Sequence, residues 1–225
     1  MNSQILLYIV QNLAVAGFTH ESTMRRLTIL LTSMLGIALL AAGCGGGDSE
    51  TDWTAVDVDH LVFQSHELPG VRQVGEPFPE PCGPVSVLEE GGGRAARSER
   101  FILRDGEAVE AAAIFRSERA ARSAYRALNR PERLRCIAKA ITSFSPQLTI
   151  GLEQPEPMDV ADEATVTRYR LLEPASQQRG YSNVISLRVG RCTASILVAA
   201  KHDAIERLTQ STSTIAAGLL SASCR

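Results

Sequence analysis

Glu99-Arg100-Phe101-Ile102-Leu103-Arg104-Asp105-Gly106-Glu107-Ala108-Val109-Glu110-Ala111-Ala112-Ala113-Ile114-Phe115 is the stretch that decides the fold. Two apolar runs, Glu99 to Arg104 and Glu107 to Phe115, flank Asp105-Gly106, and Asp-Gly between such runs signals a type I′ hairpin. In the second run Val109, Ala111, Ala113 and Phe115 alternate with Glu110 and Ala112, the period of two that marks a half-buried strand.

Outward from this hairpin, Ser117 is placed to cap a helix whose apolar face is Ala120, Ala121, Ala124, Tyr125 and Leu128. Asn129-Arg130-Pro131 interrupts it, and Pro131 suits the first turn of a second helix with Leu134, Ile137, Ala138, Ile141 and Phe144 on one face. Leu148 to Leu152 and Glu163 to Leu172 read as strands between loops bounded by Pro155, Pro157 and Pro174. Asn183 to Val189 and Cys192 to Ala200 form a second hairpin around Gly190-Arg191, a type II′ signal. Asp203 and Glu206 resemble a capping box ahead of a C-terminal helix with Ile205, Leu208, Thr212, Ile215, Ala216 and Leu219 on one face. On the N-terminal side, Trp53 to Val71 is the first structured stretch, ending in the turn Leu68-Pro69-Gly70. Arg72 to Pro84, with Pro77, Pro79, Pro81 and Pro84 around Cys82, reads as an extended loop. Gly91-Gly92-Gly93 breaks the chain again. The expected class is α+β: a single domain with a largely antiparallel sheet packed by helices and stapled by two disulfides.

Met24 to Cys44 places the protein in the cell. Arg25 and Arg26 precede an apolar run from Leu27 to Leu40, and Ala41, Ala42 and Gly43 stand directly before Cys44. This order is a secretory signal, too short in its apolar part for the ~20 residues of a membrane span. Its ending resembles the lipobox of bacterial lipoproteins, in which the cysteine thiol takes a diacylglyceryl group and becomes the new N-terminus. The expected organisation is an upstream extension over 1–23, a lipoprotein signal peptide over 24–43, a flexible tether over 44–56 and one domain over 57–225. The expected location is the extracytoplasmic face of the cell membrane, through a lipid on Cys44.

Beyond the signal about 180 residues remain, enough for one domain with a real core. The formal net charge is −2 and the basic residues are dispersed, which argues against nucleic acid as a partner. Setting Cys44 aside leaves Cys82, Cys136, Cys192 and Cys224, an even number that in an exported chain reads as two disulfides with three possible pairings. Their spacings of 54, 56 and 32 lack the close pairs of a zinc site.

No catalytic signature emerges. There is no G-x-S-x-G elbow, H-E-x-x-H, EF-hand, G-x-G-x-x-G or Walker A pattern. His60, His66 and His202 are expected at the surface or at helix ends. Asp57, Asp59 and Glu67 near His60 and His66 read as a solvated turn rather than a metal site. Gly91 to Gly93 ahead of Arg94 and Arg97 reads as a flexible loop, without the strand and helix that a phosphate cradle needs. No catalytic residue, metal or cofactor is expected.

The pattern Phe115-x-Ser117-x3-Ala121-x3-Tyr125 leading to Cys136, with a later strand pair carrying Cys192 and a terminal helix, resembles the extracellular sensor domain of the mycobacterial kinase PknH and the actinobacterial lipoproteins that share it. Over Leu61 to Cys224 the resemblance implies an antiparallel sheet flanked by helices, two disulfides, a cleft for an unknown ligand and no catalysis. The pairings expected are Cys82–Cys136 and Cys192–Cys224, each tying a loop or terminus to a nearby helix or strand. The functional expectation is a lipid-anchored, non-catalytic binding or sensor-like module for a small molecule or envelope component, with signalling passed to another protein. The alternatives are a cell-envelope hydrolase with an unrecognised active site, in which His66 or His202 approaches a serine or carboxylate, and a structural partner marked by a large exposed apolar patch.

Overall fold

In the computed structural model, residues 53–76, 82–144, 146–173 and 178–224 are described. The signal and anchor readings over 1–52, including Cys44, and the prolines Pro77, Pro79, Pro81 and Pro174 lie outside them, as does the Phe144 side chain.

The elements follow the alternation and helical spacing closely. A 3-10 turn over Val58–Leu61 is capped by Asp57, whose carboxylate accepts from the Asp59 amide at 3.1 Å. Then come β1 (Val71–Gly75), α1 (Pro84–Glu90), β2 (Arg94–Arg97), β3 (Arg100–Leu103), β4 (Gly106–Ile114), α2 (Glu118–Leu128), α3 (Pro131–Phe144), β5 (Thr149–Leu152), β6 (Glu156–Pro157), β7 (Glu163–Glu173), β8 (Gln178–Val189), β9 (Cys192–Lys201) and α4 (Ile205–Cys224). The nine strands form one antiparallel sheet in the order β1-β3-β4-β9-β8-β7-β5, with β2 beside β4 and β6 beside β7. The chain is therefore α+β, with both expected disulfides formed at Cα separations of 5.9 Å (Cys82–Cys136) and 5.8 Å (Cys192–Cys224), inside the usual range for a bridge.

Both faces of the sheet are covered. On one face α4 and the segment from Trp53 to Leu68 enclose the main core, with Phe63, Phe101, Ile114, Ile185, Leu187 and Ile196 fully buried. On the other, α1 and α2 pack Leu88, Ala121, Ala124 and Leu128 on Ala111, Ala113 and Phe115. This double cover corrects the half-buried reading of β4. All nine of its residues are buried, because the Ala112 side meets the Trp53–Leu68 segment and α4 where solvent was expected.

Five further readings are corrected. Arg72–Gly75 is not loop but the edge strand β1 on β3, and Pro84 opens α1 at the position where its missing N–H costs nothing. The hairpin at Asp105-Gly106 forms, yet Gly106 does not have a positive φ. Its glycine answers a packing demand, since a Cβ there would lie 2.3 Å from the Ala199 carbonyl oxygen of β9. Gly91–Gly93 is a close turn, not a flexible loop: Gly92 sits at φ 79°, and a Cβ on Gly93 would meet the Phe115 ring at 2.7 Å. On α4 the buried line is Ile205, Thr209, Thr212, Ser213, Ala216, Leu220 and Cys224, with Leu208, Ile215 and Leu219 at its flanks. Glu206 turns to Arg168 (Nε to Oε1, 3.2 Å) and makes no capping box with Asp203.

Candidate functional site

Strand periodicity makes the two faces of the sheet chemically different. Even-numbered positions of β4, β7 and β9 and their partners on β8 supply the α4 side, and that side is almost wholly apolar. The opposite side carries rows of polar residues. Glu163 of β7 stands opposite Arg188 of β8, which stands opposite Thr193 of β9, and the next row is Thr165, Ser186 and Ser195. Arg188, Thr193, Ser186 and Ser195 are all buried.

Helices α2 and α3 close over these rows and supply their partners. The Thr193 hydroxyl donates to the Ala121 carbonyl at 3.0 Å, and Arg133 donates to the Leu128 carbonyl at 2.8 Å and to Ser195 Oγ at 3.3 Å. Thr165 donates to Asn129 Oδ1 at 2.9 Å and receives the Tyr125 hydroxyl at 3.4 Å. Deeper along β7 the buried Tyr169 hydroxyl donates to the Leu134 carbonyl at 3.1 Å. Burial raises Tyr125 and Tyr169 above the ordinary phenol range, so both act as neutral hydroxyls at physiological pH.

Glu163 joins the two cationic arms of the site. Its Oε1 accepts from Arg122 Nε at 2.8 Å and from Arg188 Nε at 2.6 Å. Partial burial pushes its carboxyl up, but the hydrogen bonds from Arg122 and Arg188 outweigh that and hold it below the ordinary carboxylate value. Asp162 completes the arrangement, accepting from the Gly190 amide at 2.8 Å with Arg188 Nη1 3.7 Å away.

Beside this network lies an open cleft of about 520 Å³, lined among others by Tyr125, Met158, Asp159, Asp162, Glu163 and Thr165. Its lining combines the Tyr125–Thr165 hydroxyl pair, the apolar Met158 and the acidic Asp159, Asp162 and Glu163. Such a surface offers hydrogen bonds and apolar contact to a ligand, with no histidine or thiol among its lining residues.

No protein-family model matches the chain, and no curated protein matches it by sequence. Among solved structures, the extracellular domain of PknH from Mycobacterium tuberculosis matches at a TM-score of 0.42 and 6% identity, covering 70% of this chain and 94% of that chain. The match is distant.

The histidines and acidic residues singled out in the sequence do not assemble. His60 is exposed and pairs with Asp57 at 3.4 Å, and His66 is exposed. His202 is exposed too, with its ring 4.8 Å from that of Tyr181. Glu67 accepts from the Gln64 amide, and no group of three metal-ligating side chains occurs among the described residues. Arg94 is committed to the carbonyls of Trp53 (3.3 Å), Thr54 and Val56 (3.1 Å). Val74 stands at one edge of the sheet and Leu152 and Leu172 at the other, so these exposed large apolar side chains do not make one patch. Sequence reading missed the polar rows and the buried Glu107 and Glu110. The available signal was the run of Thr, Ser and Arg at alternate positions of β7, β8 and β9, visible once the register is known.

Proposed function

We propose that this chain is a lipid-anchored, extracytoplasmic binding module that takes a small molecule or an envelope component in the cleft beside Tyr125, Glu163 and Thr165, without catalysis. The observation that carries the compartment is the use of cysteine. All four domain cysteines are spent in two disulfides, as an oxidising environment allows. The fifth, Cys44, stands alone behind an apolar run that begins with two arginines. Two acyl chains on Cys44 supply the two signals that stable anchoring requires.

The binding part is supported by the Tyr125 and Thr165 hydroxyls that line an open, partly apolar cleft. The exposure of His66 and His202 weighs against the hydrolase reading, which needs one of them enclosed beside a nucleophile or a carboxylate. Intact mass of the protein purified from its host's membranes, with and without reductant, tests the anchor and compartment. A mass that begins at a diacylated Cys44 and gains four protons on reduction supports both; an unlipidated N-terminus or free thiols overturns them. Native mass spectrometry of the same preparation tests the cleft. A co-purifying molecule of fixed mass that Thr165→Trp excludes is expected, and retention by that variant moves the binding site elsewhere.

A further inference from the structure

The segment from Trp53 to Leu68 crosses the sheet as a strap. Arg94 holds its outer half by three carbonyls, and Leu61, Val62 and Phe63 bury its inner half in the main core. Beneath that inner half lies Glu110 of β4, 1% exposed. Its Oε2 accepts the Phe63 amide at 2.9 Å, while its Oε1 has no hydrogen-bond partner among the described residues. Ser98 does not serve the carboxyl: its Oγ accepts the backbone amide of Glu110 at 2.9 Å and donates to the Glu99 carbonyl at 2.8 Å.

Among the described residues, the surroundings of Glu110 offer no counter-charge: on β2, Arg94 stands opposite Ile114 and is spent on the strap carbonyls, and Arg97 stands opposite Ala111. On the strap, Glu67 is a like charge, and Asp57, Asp59 and His60 are exposed. From β9, Ile196 lies directly opposite, flanked by Ala194 and Val198. The residues that α4 buries here are uncharged, and the β2–β3 connection contributes the Ser98 hydroxyl. Burial drives the carboxyl well above its ordinary range; the Phe63 amide opposes this and Glu67 adds to it.

We propose that Glu110 is a proton-controlled latch: with its carboxyl protonated the strap is seated on the sheet, and loss of that proton as pH rises releases Leu61–Phe63. The proton sits on Oε1, leaving Oε2 to accept from Phe63. Once ionised, the carboxylate either stays desolvated with a single amide bond or draws water in by lifting the strap; lifting exposes Leu61, Val62 and Phe63, and the penalty of an unpaired buried carboxylate drives that course.

Hydrogen exchange read by mass spectrometry on the full chain in detergent tests the latch whether or not Cys44 carries lipid. Exchange in the peptide containing Leu61–Phe63 should outrun the intrinsic base-catalysed increase by up to about tenfold per pH unit above the ordinary carboxyl range, until the seated carboxyl is itself ionised. Glu110→Gln, which keeps an acceptor for Phe63, should abolish that excess, and Glu107→Gln on the opposite face should keep it. Glu67→Gln, which removes the like charge and leaves Glu110 intact, should shrink the excess and end it at lower pH. Exchange in the wild-type chain that follows the intrinsic rate alone, or an excess that survives Glu110→Gln, overturns the proposal.

Discussion

At the scale of single residues, the side chains that matter are those whose partners come from distant parts of the chain. Arg188, with its side chain 5% exposed, depends on Glu163 of the neighbouring strand. Replacing Glu163 by Gln should cost about 2 kcal/mol in urea unfolding, below the full cost of stranding a buried charge because Asp162 remains within 3.7 Å. Arg122→Gln, at the exposed arm of the same carboxylate, should cost far less, and equal losses would show that the burial of Arg188 is not what matters. Gly106→Ala places a methyl against the Ala199 carbonyl and should destabilise by about 1–3 kcal/mol. A turn that needed positive φ would instead be rescued by Asn, so a stable Gly106→Asn variant would contradict the packing account.

At the scale of elements, local signals set type and order, while packing set rotation and extent. Helix α2 begins where Ser117 accepts from the Ala120 amide at 3.3 Å, so Ser117→Ala should lower the unfolding free energy by about 1 kcal/mol without altering the Tyr125–Thr165 pair. The rotation of α4 is a different matter. Its apolar residues alone point to Leu208, Ile215 and Leu219, yet the bridge from Cys224 to Cys192 turns the line Thr209, Ser213, Ala216 and Leu220 toward β8 and β9. Small residues let the helix lie close, and Asn183 reaches Thr209 Oγ1 at 2.8 Å. Counting back from Cys224 in helical steps, rather than maximising hydrophobicity, finds that face.

For the whole molecule, two properties extend beyond any one element. The disulfides close loops of 54 and 32 residues, and each contributes about 4 kcal/mol in the chain-entropy model, so reduction should lower the melting temperature steeply and Cys192→Ala with Cys224→Ala should reproduce half of the loss. The second property is pH dependence. Burial lifts Glu107 to about 7, against the attraction of Arg100, so the folded chain holds a proton that the unfolded chain has already released. That contribution to stability is complete below the ordinary carboxyl value and is lost as pH rises through about 7, and Glu110 acts in the same direction. Melting temperature should therefore fall between acid and neutral pH, and Glu107→Gln should flatten part of that slope.

What the amino-acid sequence determined by itself was local. Two hairpins, the helix starts at Ser117 and Pro131 and the strand order within each hairpin follow from turn chemistry, capping and periodicity, which act over a few residues, while the even number of cysteines behind a secretory signal pointed to two disulfides and left their pairing open. Even the Asp105-Gly106 hairpin was legible although its glycine is there for another reason. What only the tertiary structure decided was everything that depends on which surfaces meet. That includes the burial of both faces of β4, the edge strand made from Arg72–Gly75, the strap clamped by Arg94 and Glu110, and the polar rows that bring Tyr125, Glu163 and Thr165 to one cleft. A carboxylate in an alternating strand reads as solvent-facing until another segment covers it. The covering segment lies 47 positions away in the case of Phe63 and Glu110, beyond the reach of any local pattern.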